Sequence, residues 1–407
     1  MTQSDPRASG SQALTLGFAS IGHTFSHMFV LFYATVVLVL QREWGMSYAE
    51  LFALSVPGAI MFGAGALPAG WLGDRWSPAG MIAIFFLGTG AASILTGLAD
   101  SPLMLAVGLT AIGTFASIYH PVGIPWLISR AVNRGRALGV SGVFGSAGTA
   151  FAAVVAGTLA EWLGWRAAFI APGIIAMLVG LAFVLLLRAG RIVDSEGEVA
   201  PPPPAAAGDA RRAFAVLAVT VMCVGVIYQA TSYALPKVFE ERLFDFAGGS
   251  IAGIGAIVTV CYLISGMTQL IGGELADRFS QKTVYMFCQL LQIPVYAIAY
   301  VVFGPALIGL AVLMIGFNVM GQPSENALLA RYTPLKWRGQ VFGAKFLLTL
   351  GVSSIGVALI PAIHASTGNL DFLFLMLGIS ASISFLAAMA LPADRRTRPL
   401  AQMAGGD

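Results

Sequence analysis

Two short stretches decide the fold: Gly70-Trp71-Leu72-Gly73-Asp74-Arg75 and Gly273-Glu274-Leu275-Ala276-Asp277-Arg278. Both read Gly-x-Leu-x-Asp-Arg, and they lie 203 residues apart. Each closes a long apolar run and sets its two charges where that run stops. Two further markers keep the offset. Arg134-Gly135-Arg136-Ala137-Leu138-Gly139 recurs as Arg338-Gly339-Gln340-Val341-Phe342-Gly343, 204 residues on. His120-Pro121 aligns with Gln322-Pro323, 202 residues on. A nearly constant offset over three markers means that the chain is two parallel repeats.

Working outward, the repeats are built from apolar runs. Breaking the chain at charges and Pro/Gly clusters gives twelve: 14–40, 48–73, 79–98, 102–130, 136–160, 165–188, then 213–237, 250–276, 282–303, 306–330, 338–363 and 370–391. A hydrocarbon core of about 30 Å needs roughly 20 apolar residues as a helix. A barrel strand would be about ten residues of alternating character. The runs are longer and continuously apolar, so we expect an all-α polytopic membrane protein of twelve transmembrane helices in two six-helix parallel repeats. The expected units are a tail (1–13), a first bundle (14–188), a linker (189–212) with Pro201–Pro204 and several acids, a second bundle (213–391) and a tail (392–407).

Composition agrees. Only 10% of the 407 residues are charged and 57% are hydrophobic, against about 25% charged in soluble domains. This excludes an ordinary cytosolic enzyme, a nucleic-acid binder and a disordered scaffold. A net charge of +3 suggests no polyanionic partner. Cys223, Cys261 and Cys288 lie far apart in apolar surroundings, without ligand spacing, and read as free thiols. No removable signal peptide is expected; the first span itself targets the membrane. With the N-terminus inside, 17 Lys and Arg fall in inner loops and tails and four (Arg42, Arg166, Lys237 and Arg242) outside, leaving Lys345 within a span. That asymmetry sets both termini in the cytoplasm. No HExxH, Gly-x-Ser-x-Gly or phosphate-binding loop with its Lys is present, so no enzyme, ATP use or cofactor is expected.

Together these features resemble the major facilitator superfamily over essentially the full length. The resemblance implies two halves rocking about a central site. It also implies an inner-side latch, here Gly70, Asp74, Arg75, Arg134, Arg136, Gly273, Asp277, Arg278 and Arg338. Ser77 stands where a glycine is usual. Tyr119-His120-Pro121-x-Gly123 followed by Arg134-Gly135-Arg136-Ala137 resembles the fosmidomycin-resistance-like branch of drug exporters. The Gly-Pro pair frequent in proton antiporters is Ala152-Ala153 here.

Ionisable groups inside a membrane are costly and so are functional candidates. They are His23, His27, His120, Glu325 and Lys345. All but Lys345 lie on spans that line the cavity in the superfamily. Glu325 lies six residues before Arg331, and Lys345 seven after Arg338, so both sit about 9–10 Å deep from one side. Neighbouring antiparallel spans bring them together. The repeat-related positions are the neutral Gly123 and Ser141. Two readings stand: a static ion pair, or a switch that opens when Glu325 takes a proton.

His23 and His27 share a helix face. Here three readings stand: hydrogen-bonded neutral histidines, substrate or proton handling, and a transition-metal site. No metal is assigned. Tyr228, Gln229, Tyr233 and Gln322, with Thr231, Ser232, Asn318, Ser324 and Asn326, supply polar groups to a substrate or bond helix to helix. Gly139, Gly142, Gly145 and Gly148 suggest a close crossing between the halves. The expected function is a secondary transporter, monomeric, in the cell (inner) membrane, exporting a small amphipathic or anionic compound with protons. Uptake of a small organic acid is the alternative, and a non-transporting receptor-like member is a third reading.

Overall fold

The computed structural model describes residues 6–131, 134–192, 207–333 and 338–392. It places the chain in helices, with no strand among the described residues. Twelve are long and apolar enough to cross a membrane: Gly10–Trp44, Tyr48–Arg75, Pro78–Gly97, Pro102–Arg130, Gly139–Leu163, Ala167–Arg188, Ala210–Leu243, Ile251–Arg278, Gln281–Val301, Ala306–Tyr332, Gly343–Thr367 and Asp371–Met389. They are numbered here as spans in that order. Because the count is even, the start of the first span and the end of the twelfth lie on one side, called the termini side below; the opposite face is distal.

Local chemistry starts these helices where the sequence changes character. Ser77 and Ser101 each precede a proline at the first helical position. Their hydroxyls accept from the N–H of Gly80 (2.9 Å) and Met104 (3.4 Å). A serine cap followed by proline satisfies and removes helix-start donors together. This accounts for Ser77 where the superfamily pattern has glycine. Ser47 and Glu50 form a reciprocal capping box at the second span. Gly368, at φ +77°, ends the eleventh span in the left-handed conformation that glycine adopts without strain.

Several expected boundaries move outward. The first helix begins at Pro6, not after a tail of 13 residues, and runs on to Trp44; the seventh begins at Ala207, inside the expected linker. A helix continues past the bilayer edge while its backbone bonds persist, so polar ends are included. Residues 193–206 and 393–407 lie outside the described residues. For the same reason Lys237 and Arg242, expected in an outer loop, lie buried in the last turns of the seventh span. Arg242 donates to the carbonyl oxygens of Ala299 (2.6 Å) and Val302 (2.8 Å) and pairs with Asp371. Helix-end carbonyls and a carboxylate together supply the partners that a buried guanidinium requires.

The two sets of six meet along two seams. In the first, between the fifth and eighth spans, a Cβ at Gly157 would lie 2.9 Å from the Ile251 carbonyl oxygen. One at Gly255 would lie 2.5 Å from that of Ala153, and Thr259 Oγ1 donates to the Ala150 carbonyl at 2.7 Å. Backbones therefore touch on the distal half of this seam. Toward the termini side, Gly139, Gly142 and Gly273 have nothing among the described residues within 4 Å of a Cβ position. In the second seam, the second and eleventh spans cross at Gly63 and Gly351, and Ser354 Oγ donates to the Ala59 carbonyl at 2.9 Å. The glycine stripe of the fifth span works differently from the expectation. Gly148 packs on Thr24 and Gly145 on His23, both in the first span. That crossing is within one repeat, not between the two.

Candidate functional site

At the junction the structure brings three histidines together. His23 and His27 project one helical turn apart from the first span. His120 comes from the fourth span, inside a π-helical turn, Tyr119–Gly123. Pro121 in that turn has no N–H to give to a carbonyl, and the extra residue re-aims the side chains. Ring centroids are 5.2 Å apart for His23–His27, 5.4 Å for His23–His120 and 5.0 Å for His27–His120. Ser141 Oγ lies 3.1 Å from His23 Nδ1, and Tyr119 donates to the Ala19 carbonyl at 2.7 Å, 3.3 Å from the same Ser141. His23 lies against Gly145, where a Cβ would come within 2.5 Å of Nε2. His120 is buried, and its Nδ1 has no hydrogen-bond partner among the described residues. The other repeat closes the cluster: Phe346 lies 5.3 Å from His120, and Tyr228 6.4 Å from His27.

A second polar centre lies next to Phe346. Lys345 Nζ is 2.7 Å from Glu325 Oε1, and both side chains are at most 10% exposed. Lys345 also donates to Asn326 Oδ1, and Tyr285 donates to Glu325 Oε2 at 2.8 Å. The eleventh helix departs from α geometry just after the lysine. A π segment (Leu347–Gly351) and a 3₁₀ turn (Val352–Ser354) bring Gly351 against Gly63. The repeat relation gives the two centres a common origin. Glu325 and Lys345 correspond to Gly123 and Ser141, and Ser141 is the residue that holds His23.

Around these centres, Tyr228 hydroxyl is 3.0 Å from Thr149 Oγ1 across the junction. Gln229 is buried with Nε2 unpartnered, and Asn318 is buried with Oδ1 unpartnered. Tyr228 and Asn318 also line a small cavity with Thr231, Tyr262 and Tyr296. Tyr233 is buried against Phe52, 6.3 Å between rings, away from both centres. Gln322 is half-buried in the tenth span, without a hydrogen bond among the described residues.

Among the described latch side chains, the two motif arginines find partners on their own helices. Arg75 stacks on Trp71 of its own helix (4.3 Å), and Arg278 pairs with Glu274 of its own helix. The Asp74 and Asp277 carboxylates take no partner among the described residues. Of the motif glycines, Gly70 approaches Pro121 (3.3 Å from a Cβ), whereas Gly273 is open; the tight position in the second repeat is Gly272, against Met320. The side chains of Arg134, Arg136 and Arg338 lie outside the described residues.

Sequence reading missed a distal cluster. Lys237 pairs with Glu240 at 2.6 Å and lies 3.7 Å from Glu241; His364 Nε2 lies 3.2 Å from Glu241. Tyr48, from the other repeat, stacks 4.8 Å from His364 and 5.1 Å from the Lys237 ammonium. The signal was present as Lys237-x-x-Glu240-Glu241, an i,i+3/i+4 charge set. Truncating the seventh run at residue 237 hid it.

Twelve helices in two parallel repeats, with polar centres at the junction, define a membrane transporter. A family model described as Major Facilitator Superfamily matches residues 19–258 and 217–405. The chain belongs to this family, whose members are transporters and not enzymes. A puromycin resistance protein from Streptomyces alboniger is 31% identical over 152 residues, which is 37% of this chain but only 30% of that protein. A probable 4-methylmuconolactone transporter from Cupriavidus pinatubonensis is 23% identical, covering 88% of this chain and 85% of that one. The 4-hydroxybenzoate transporter of Pseudomonas putida is 24% identical over 77% of each. Among solved structures, a bacterial homolog of the human lysosomal transporter Spinster, inward-facing and unoccupied, shares the fold. Its TM-score is 0.74 at 15% identity, over 96% of this chain and 98% of that one.

Proposed function

We propose that this protein is a proton-coupled secondary transporter of a small organic acid, working by alternating access in the cell (inner) membrane with both termini cytoplasmic. The observation that carries the reading is the buried Glu325–Lys345 pair, 2.7 Å apart beside the junction. A carboxylate-bearing solute reaching Lys345 competes with Glu325 for the ammonium. Glu325, deprived of its cation in a low-dielectric setting, then takes a proton. Anion and proton enter together, which makes the cycle a symport. The tight distal seam supports a state whose access lies on the termini side. Tyr228, Gln229, Asn318 and the histidines supply hydrogen bonds that orient the rest of the solute. The relatives that match over most of their length carry 4-methylmuconolactone and 4-hydroxybenzoate by name, which supports a small organic acid as the solute.

A second reading, export of an amphipathic compound, is favoured by the puromycin resistance relative and by the motifs shared with the fosmidomycin-resistance-like branch. Proteoliposomes under pH gradients of either sign separate them. Uptake predicts that labelled aromatic carboxylates accumulate against their gradient when the outside is acidic. Export predicts that an amphipathic or anionic compound moves outward in exchange for protons moving in. Movement of carboxylates that ignores pH would remove the coupling.

A further inference from the structure

The geometry points to a binding site for a divalent transition-metal ion of the zinc class, held by His23, His27 and His120. One ring nitrogen from each lies within 4.8 Å of the others. Three atoms so spaced all lie within about 2.8 Å of a common point, and an imidazole–zinc bond is about 2.0–2.1 Å. Closing on an ion asks each nitrogen to move by less than about 1 Å, within the range of small side-chain adjustments.

Three features of this chain favour ligation over a chance meeting of rings. The Nδ1 of His120 is buried without a partner among the described residues, an arrangement that is costly unless something occupies it. Ser141 at 3.1 Å engages Nδ1 of His23, leaving Nε2 as the metal-facing atom; a hydrogen bond on the far nitrogen is the usual way a protein fixes the tautomer of a ligating imidazole. Gly145 lets that ring lie against the fifth span, where any Cβ would strike it. The donor set is three neutral imidazoles without a carboxylate, which selects zinc, cobalt, nickel or copper over magnesium and calcium. Three protein ligands leave the fourth position of a tetrahedral ion to water or hydroxide. The site shares no residue with the Glu325–Lys345 pair, and testing it needs no transported solute.

Titration of purified, tag-free protein with Co²⁺ tests it directly. The expected result is one Co²⁺ per chain, with ligand-field bands of a four-coordinate site that Zn²⁺ displaces. His27→Gln and His120→Gln should weaken binding at least tenfold, while His364→Gln binds like the parent. X-ray absorption on the Zn²⁺-loaded parent chain, which depends on no variant folding, should show three imidazole scatterers. The proposal is overturned if the parent chain binds no stoichiometric metal, if His27→Gln and His120→Gln, both folded, leave binding unchanged, or if fewer than three imidazoles surround the ion. Any of those leaves the transport reading intact, because the assay contains no carboxylate solute and no pH gradient.

Discussion

Glu325 is held by two groups at once: the Lys345 ammonium and the Tyr285 hydroxyl. Removing one partner of such a pair strands a buried charge, which costs about 3–5 kcal/mol, whereas removing both is often nearly neutral. Lys345→Met should therefore lower thermal stability far more than Lys345→Met combined with Glu325→Leu. Unfolding midpoints of the purified variants check this, and equal losses in both would mean the pair is not desolvated. At this scale the sequence was informative where a residue was rare. Two charges and three histidines inside apolar runs stand out against lipid-compatible neighbours. Ser141, Tyr119 and Tyr285 did not stand out, because serines and tyrosines are common in spans. Only the crossing of the first, fourth and fifth helices, or of the ninth and tenth, shows which of them meets a histidine or a carboxylate.

The helices themselves were legible from apolar length, but their interruptions were not. The second span is three helical segments, Tyr48–Ala53, Val56–Ala64 and Ala66–Arg75, and the fourth and eleventh each contain a π turn. Pro121 gave a hint for the fourth. Nothing in Leu347–Gly351 announces the eleventh, whose irregularity comes from packing on Gly63. A Cβ at Gly63 would lie 1.9 Å from the Gly351 Cα, backbone against backbone. Gly63→Ala should then destabilise by at least the 1–3 kcal/mol typical of overpacking. Gly139→Ala meets nothing and should be neutral or stabilising by up to about 1 kcal/mol, from helix propensity alone. Comparing the two in thermal unfolding tests the seam, and equal effects would contradict it. The same comparison explains why the glycine stripe was misassigned. Spacing shows that a helix approaches closely there, but not which helix.

For the whole molecule, twofold repetition was written in three motif pairs, and it carried the architecture. It did not carry the state. The distal seam between the fifth and eighth spans and the Tyr48–Lys237–Glu241–His364 cluster hold the two repeats together on the distal side. That arrangement depends on which surfaces touch, and motifs present in every state cannot report it. If alternating access operates, the distal seam must open in each cycle. Gly157→Cys paired with Ala252→Cys, in a chain freed of Cys223, Cys261 and Cys288, should form a disulfide that abolishes transport until reduced. Transport by the cross-linked chain at the parent rate would show that this seam does not move.

The central claim is that Glu325 carries the proton that accompanies the solute. The most direct measurement follows lumenal pH and labelled aromatic carboxylate together in proteoliposomes, for the parent chain and for Glu325→Gln. The account predicts that the parent moves protons with the solute. The variant should still exchange labelled for unlabelled solute but neither move protons nor accumulate solute against its gradient. Proton movement in Glu325→Gln at the parent's ratio to solute would contradict the account.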